Sequence, residues 1–206
     1  MIVYVETNFV LELALVQEEH AHCQQLVGLC EGGQIALVAP AFSFAEPYET
    51  LKRRHRERRT LLEALSRELK QLARSHLYQG QTDAMNQVMS LLAKSAEDEK
   101  GRLDATVSRL LNSAETIPLD EGTLRSAMKC QGEHDLSPQD AVVFASVIQH
   151  LKSHEPELPC FLTKNAKDFS NPNIVAALNE YDCRILFKFA DGLAHVRARL
   201  KADSGP

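Results

Sequence analysis

The chain has 206 residues, of which 44% are hydrophobic and 25% are charged, and its net charge is −5. These values are ordinary for a globular protein and exclude a disordered or fibrous class, and the length suits a single domain covering 1–206. The acidic balance argues against nonspecific nucleic-acid binding by the whole surface, although a local basic cluster would still permit contacts.

No membrane span is expected from the sequence. No apolar run reaches the roughly 18 residues that cross a bilayer, and the best candidate, IALVAPAF, is interrupted by Pro40. We therefore expect a cytoplasmic protein without a membrane partner. The five cysteines are odd in number and form no C-x-x-C pair, which indicates buried thiols and favours neither a disulfide framework nor a zinc site.

Apolar, β-branched runs alternate with helical stretches along the chain. We predict strands at 2–5, 34–39, 116–119, 160–163 and 184–189. This alternation favours an α/β fold of three layers (α/β/α), in which a central parallel sheet of about five strands lies between helices. In such a sheet, ligands bind beyond the carboxyl ends of the strands.

A long charged segment separates the second and third predicted strands. Residues 49–112 carry leucines at helical spacing, so we predict a helical arm of two or three helices, with breaks at Gly80 and Gly101. The arm contains LKRRHRERR, with six Lys and Arg residues in the eight positions 52–59. A cluster of this kind attracts a phosphate backbone, and the alternatives are a solvated surface or salt bridges to the acids at 97–99. The residues predicted to bind RNA are Lys52, Arg53, Arg54 and Arg56.

Acidic residues follow the first two predicted strands. The first strand runs directly into Glu6, whose carboxylate needs a partner if it is buried. The second strand is followed by SFAEPYETL, in which Ser43 and Glu46 have the spacing of a capping box and Pro47 would fall in the first helical turn. Both acids are therefore expected at the carboxyl edge of the sheet, with helix capping as the alternative role for Glu46.

A third acid lies in the segment LSPQDAVVFAS. Ser137 and Pro138 predict the N-cap and the first residue of a helix. Asp140 then lies on the apolar stripe of this helix, which the helix dipole alone does not require, so a site role and a capping role both remain open. The fourth strand is followed by FLTKNAKDF, which brings further polar residues to the same edge, with turn formation as the alternative: Thr163, Asn165 and Asp168.

Several carboxylates in one crevice repel one another. Two unit charges about 4 Å apart cost about 4 kcal/mol at an effective dielectric constant of about 20. A hard divalent cation removes this repulsion, and Mg²⁺ also binds phosphate oxygens while it keeps several water ligands. Such a site activates water and stabilises the charge that develops on a phosphodiester during hydrolysis.

The segments VYVETNFVL, SFAEPYETL, LSPQDAVVFAS and FLTKNAKDF resemble, in this order, the signature segments of PIN-domain nucleases. That family includes VapC-type toxins of toxin–antitoxin pairs and RNA-processing endonucleases. The resemblance implies a parallel sheet between helices and cleavage of RNA by clustered acids with Mg²⁺ or Mn²⁺. It leaves open an antitoxin or another protein partner, and a homodimer.

The resemblance also assigns roles to individual residues. Three acids correspond to the metal ligands, and a fourth carboxylate joins them in catalysis: Glu6, Glu46, Asp140 and Asp168. Neighbouring polar residues correspond to those that support the site: Thr7, Asn8, Thr163 and Asn165. Two positions depart from the family pattern, since Glu6 stands where Asp is usual and Asn165 where many members have an acid. A PIN-like scaffold with weak or no activity, acting as a protein- or RNA-interaction module, is therefore the alternative.

Overall fold

A computed structural model describes residues 1–78 and 83–203, so the break predicted at Gly80 lies outside the described residues. The strands are β1 (Ile2–Val5), β2 (Ala36–Pro40), β3 (Glu115–Ile117), β4 (Cys160–Leu162) and β5 (Arg184–Leu186). They form one sheet in the order β3-β2-β1-β4-β5, and each neighbouring pair is parallel. The predicted parallel sheet is confirmed, and only the strand ends differ from the prediction.

Helices connect the strands and cover both faces of the sheet. In the described ranges they are α1 (Thr7–Leu15), α2 (His20–Glu31), α3 (Phe42–Leu72), α4 (Asp83–Ser113), α5 (Glu121–His134), α6 (Pro138–His154), α7 (Ala166–Phe169), α8 (Pro172–Asn179) and α9 (Phe189–Asp203). Side chains of α1 to α4 and α9 form the core on one face, and those of α5 to α8 form the core on the other. This arrangement is the predicted three-layer fold.

The sequence of the central strand β1 is apolar throughout because both of its faces are buried. Val3 and Val5 belong to one core, whereas Tyr4 belongs to the opposite core. Successive side chains of a strand point to opposite faces, and here both faces are covered by helices. A strand buried on both sides reads as a continuous apolar run, and the chain becomes polar only where β1 ends.

Helix α3 begins earlier than the sequence predicted. Its first residue is Phe42, so Ser43 is a buried helical residue and Pro47 lies inside the helix. The capping box predicted for Ser43 and Glu46 is therefore wrong. The Ala41 N–H still bonds to the Ile117 carbonyl at 2.8 Å, so β2 passes into the helix with no intervening loop. Glu46 consequently lies in the second turn of α3.

The helical arm is smaller than the predicted 49–112. The second half of α4 is part of the core, since Leu103, Val107 and Leu110 are buried. The break predicted at Gly101 is wrong, because α4 runs through this glycine without interruption. In α3, no residue after Leu51 is buried. The arm that projects from the sheet thus comprises 52–78 and 83–102.

The cysteines do not form disulfides, as predicted. All five are free, and Cys23, Cys160 and Cys183 are buried. Burial raises the pKa of the Cys160 thiol to about 12, so this group stays protonated and unreactive. Within the described part of the chain, no helix has the length and apolar character of a membrane span.

Candidate active site

An open cleft of about 840 Å³ lies beyond the carboxyl ends of β1 and β4. The strand order reverses at β1, which has β2 on one side and β4 on the other, and this is where ligands bind in open parallel sheets. The chain enters a helix after each of these strands. All four carboxylates predicted for catalysis line the cleft: Glu6, Glu46, Asp140 and Asp168.

Glu6 is the N-cap of α1 and is only 5% exposed. Its Oε2 accepts the Asn8 N–H at 2.8 Å, whereas its Oε1 is buried and has no hydrogen-bond partner of ordinary geometry. Burial raises the pKa of Glu6 to about 7, the charge of Glu46 adds to the shift, and the polar groups of Asn8 and Thr163 oppose it. In the absence of a cation, Glu6 is therefore about half protonated near neutral pH.

Glu46 is oriented by the first residue of α1. The Thr7 hydroxyl donates a hydrogen bond to Glu46 Oε2 at 2.5 Å. The same helix terminus thus holds Glu6 through a backbone N–H and Glu46 through a side chain. Thr7 and Asn8 thus each donate a hydrogen bond to one of these acids, and their role in supporting the site stays a prediction.

Asp140 is held on both of its carboxylate oxygens. Ser137 is the N-cap of α6, as predicted, and its hydroxyl lies 2.5 Å from Asp140 Oδ2. The Asn165 side-chain amide donates to Asp140 Oδ1 at 3.0 Å, and the Asn165 backbone N–H donates to the Thr163 hydroxyl at 2.9 Å. Asn165, which stands where many family members have an acid, here binds a neighbouring acid as a neutral donor.

The cleft fits a hard divalent cation by the chemistry of its donors. Carboxylate oxygens are the ligands that Mg²⁺ and Mn²⁺ prefer, and the unpartnered Oε1 of Glu6 is free to bind one. The acids do not, however, form a described group of three with all ligand atoms within 4.8 Å of one another. Oxygens around one Mg²⁺ are at most about 4.2 Å apart, so this arrangement suits one or two direct carboxylate ligands, with water completing the shell.

A basic surface continues from the acidic cleft along α3. Arg53 and Arg54 line the cleft, and a neighbouring groove of about 410 Å³ is lined by Lys52, Arg53 and Arg56. We call the four residues predicted to bind RNA the basic face (Lys52, Arg53, Arg54 and Arg56), and all four are exposed. Lys52 lies 3.4 Å from Glu49, whereas no described carboxylate pairs with the three arginines.

Two residues of the same charged run have a structural role. Arg58 and His55 turn toward α4 and contact Glu99 at 3.1 and 3.2 Å. Arg58 also donates to the Ser95 hydroxyl at 2.7 Å. The contacts to 97–99 that the sequence left as an alternative therefore exist, as a salt bridge for Arg58 and a hydrogen bond for His55, but they do not involve the basic face.

Lys164 also lines the cleft, and sequence reasoning missed it. Its Nζ lies 3.0 Å from Oε2 of Glu12, whose side chain is 1% exposed, and 3.5 Å from Glu18. Two signals were present in the sequence: Glu12 is a lone acid in the apolar run NFVLELAL, and Lys164 follows β4 almost directly. A buried carboxylate requires a cation, and Lys164 lies at the strand end that could supply one.

Residues 3–169 match the sequence profile of the PIN domain. This match covers most of the chain, so the chain belongs to the PIN domain family, whose members are nucleases that generally use divalent metals. One similar solved structure is that of VapBC2 from Rickettsia felis bound to a DNA fragment from their promoter, with 12% identity and a TM-score of 0.42 over 84% of this chain and 96% of that chain. No curated protein matches the chain.

Proposed function

We propose that this protein is an Mg²⁺- or Mn²⁺-dependent endoribonuclease that hydrolyses phosphodiester bonds of RNA. The proposal rests on one observation above all: a single cleft is lined both by four carboxylates and by two arginines of the basic face, Arg53 and Arg54. A crevice of carboxylates alone would repel a polyanion. Cationic side chains beside it attract the phosphate backbone and bring it to the acids.

The carboxylates of Glu6, Glu46 and Asp140 would hold the cation, one or two of them directly and the rest through its water ligands. When bound, the cation would supply an activated water and stabilise charge on the phosphate. Glu6 offers its unpartnered Oε1, and Thr7 and Asn165 keep the other two acids turned toward the cleft. Both hydrogen bonds come from residues at the start of a helix: Thr7 begins α1, and Asn165 directly precedes α7. This is the preorganisation that a hydrolytic site requires.

The remaining cleft residues would bind the RNA or alter the electrostatic potential in the cleft. The basic face would hold the phosphates that flank the scissile bond, over a helix length of about 15 Å between Glu46 and Arg56. Lys164 would add a positive charge whose position is set by Glu12. Asp168, the fourth proposed catalytic carboxylate, lines the cleft from α7 beside Lys167.

A scaffold with weak or no activity is the second candidate, and a specific observation favours it. The carboxylates are not drawn together around one point, and both oxygens of Asp140 already accept or share hydrogen bonds. In that case the protein would bind RNA or a protein partner without cutting.

Cleavage by the metal-stripped protein separates the two candidates. A labelled RNA and a DNA of the same sequence are incubated with EDTA, Mg²⁺ or Mn²⁺, and we expect only the RNA to be cut, and only with a cation. Asp140→Asn should lower the rate at least about 100-fold, because the acid that holds the cation is lost. Asp191→Asn is the matched control, since Asp191 is a first-turn acid of α9 outside the cleft and should leave the rate unchanged.

Equal rates for Asp140→Asn and the unchanged chain would refute the assignment of the cleft. Binding of RNA without cleavage of any RNA, under every cation tested, would favour the scaffold. The proposal also includes a cytoplasmic location and a protein partner, either an antitoxin or a second copy of this chain. Co-expression with a neighbouring reading frame, followed by light scattering of the purified material, tests both partners.

A further inference from the structure

A second group of metal-ligating side chains lies far from the cleft. It comprises Glu115, His150 and His154, and one ligand atom of each lies within 4.8 Å of the other two. Glu115 is the first residue of the edge strand β3, and both histidines lie in the last turns of α6. Asp140 is in the first turn of the same helix, so about 15 to 21 Å of helix separates the two sites.

The geometry is close to that of a metal site. The two histidines are four positions apart on one helix face, with ring centroids 3.8 Å apart and ring planes within 9°. Stacked imidazoles direct their lone pairs in parallel, so the His154 ring has to turn before both can meet at one ion. His150 Nε2 lies 3.0 Å from Glu115 Oε1. Ligand atoms on a tetrahedral Zn²⁺ are about 3.4 Å apart, so the His150–Glu115 pair needs to open only slightly. His154 is exposed, and turning its ring would give up the contacts of its Nδ1 with the Ser153 hydroxyl at 2.9 Å and the His150 carbonyl at 3.1 Å.

A buried tyrosine holds the central histidine in place. Tyr4, in the middle of β1, is 0% exposed, and its hydroxyl lies 2.8 Å from His150 Nδ1. Since Nδ1 is engaged by Tyr4, Nε2 is the nitrogen that faces Glu115 and solvent. Metal-bound histidines usually have their second ring nitrogen held by such a hydrogen bond, which fixes the ring and the tautomer.

The donor set indicates which ion would bind. Two imidazoles and one carboxylate form the set found at zinc sites that have three protein ligands and a water. Mg²⁺ and Ca²⁺ prefer oxygen ligands and would be disfavoured here. The Glu115 side chain is 50% exposed, so an ion can enter from solvent although His150 is only 5% exposed.

We propose that Glu115, His150 and His154 form a Zn²⁺ site that joins the end of α6 to the start of β3. The cysteine pattern could not indicate it, because the site contains no thiolate. It is separate from the acidic cleft and does not depend on the nuclease activity proposed above. Bound zinc would stabilise the helix that carries Asp140 at its other end.

Calorimetric titration of the metal-stripped protein with Zn²⁺, in saturating Mg²⁺, tests the site. We expect one Zn²⁺ per chain, and the same value for a Glu6→Gln/Asp140→Asn variant in which the acidic cleft is disabled. His154→Ala and Glu115→Gln should each weaken zinc binding at least about tenfold, and Tyr4→Phe about 10- to 100-fold. His76→Ala is the control, because His76 is an exposed histidine of the arm outside the group.

Thermal unfolding provides a second readout that does not require tight binding. Zn²⁺ should raise the Tm of the unchanged chain and of His76→Ala, but not that of His154→Ala. Both replaced ligands have exposed side chains, so the variants should keep the fold, which circular dichroism verifies. Absence of zinc uptake by the unchanged chain, or uptake unaffected by His154→Ala and Glu115→Gln, would overturn the proposal. Tyr4, His150 and Glu115 would then form only a hydrogen-bonded chain that holds α6 on the sheet.

Discussion

Replacing Glu6 by glutamine should change the stability of the metal-free protein by an amount that depends on pH. Burial raises the pKa of this carboxyl from 4.5 to about 7. A raised carboxyl pKa means that folding favours the protonated form, so the ionised form is the destabilising one. The penalty is absent well below pH 4.5, grows as the pH rises toward 7, and is constant above that, where it amounts to about 3 kcal/mol.

Glutamine keeps the size of the side chain and an oxygen that accepts the Asn8 N–H, but it cannot ionise. It also places an amide N–H₂ where Glu6 Oε1 has no partner, and an unpaired donor costs about 1 to 3 kcal/mol at any pH. The comparison of two pH values removes this constant cost. We therefore expect the free energy of unfolding of Glu6→Gln, relative to the unchanged chain, to rise by about 2 to 3 kcal/mol between pH 5 and pH 8.

Urea unfolding in EDTA at the two pH values measures this difference, with the slope of the transition checked for equality between the proteins. A relative stability that is the same at pH 5 and pH 8 would refute the reasoning. It would mean that Glu6 is as well solvated in the folded protein as in the unfolded chain, and that its buried position at the end of β1 is wrong.

Three other predictions concern the charged surface and the arm. Changing the four residues of the basic face to alanine should weaken RNA binding and flatten its dependence on salt concentration, because fewer counterions are released on binding. Fluorescence anisotropy at several salt concentrations measures both effects. An unchanged salt dependence would mean that the basic face is only a solvated surface that does not contact RNA. Arg58→Ala is the control and should lower the Tm without changing the salt dependence, since Arg58 contacts Glu99. Lys164→Ala should cost about 2 kcal/mol in urea unfolding because it leaves the buried Glu12 without its cation, and recovery by Lys164→Arg would distinguish charge from packing. Gly101→Ala should stabilise the protein by about 0.5 to 1 kcal/mol, as an added Cβ meets no atom within 4 Å in the middle of α4; a loss of stability would show that the helix is interrupted there.

The alternation of strands and helices and the acids at the strand ends were readable from the sequence. Both depend on local information: a strand buried on both faces is continuously apolar, and a residue that follows it must lie at the carboxyl edge. Glu6, Glu46 and Asp168 could therefore be placed at one edge of the sheet before any contact was known, and the resemblance to PIN-domain nucleases added Asp140. Their roles as ligands and catalytic groups stay predictions.

Tertiary packing decided the features that local signals described wrongly. Glycine costs about 1 kcal/mol in a helix, which predicted a break at Gly101. Burial of Leu103, Val107 and Leu110 just beyond it outweighs this cost, since each buried leucine or valine contributes about 1.5 to 3 kcal/mol. The same competition moved the start of α3 to Phe42, where a buried Phe44 anchors the first turn.

Which distant residues contact one another could not be read from the sequence, although Glu12 and Lys164 each carried a local signal. Lys164 meets Glu12 across 152 positions, and His150 meets Glu115 across 35. Neither pair has a periodic or spacing signal. The Lys164–Glu12 contact forms only when β4 lies beside β1, and the His150–Glu115 contact forms only when α6 packs across the sheet. The sequence alone determined which edge of the sheet carries the acids. How the helices pack decided which cations face these acids and which histidines meet the carboxylate at the start of β3.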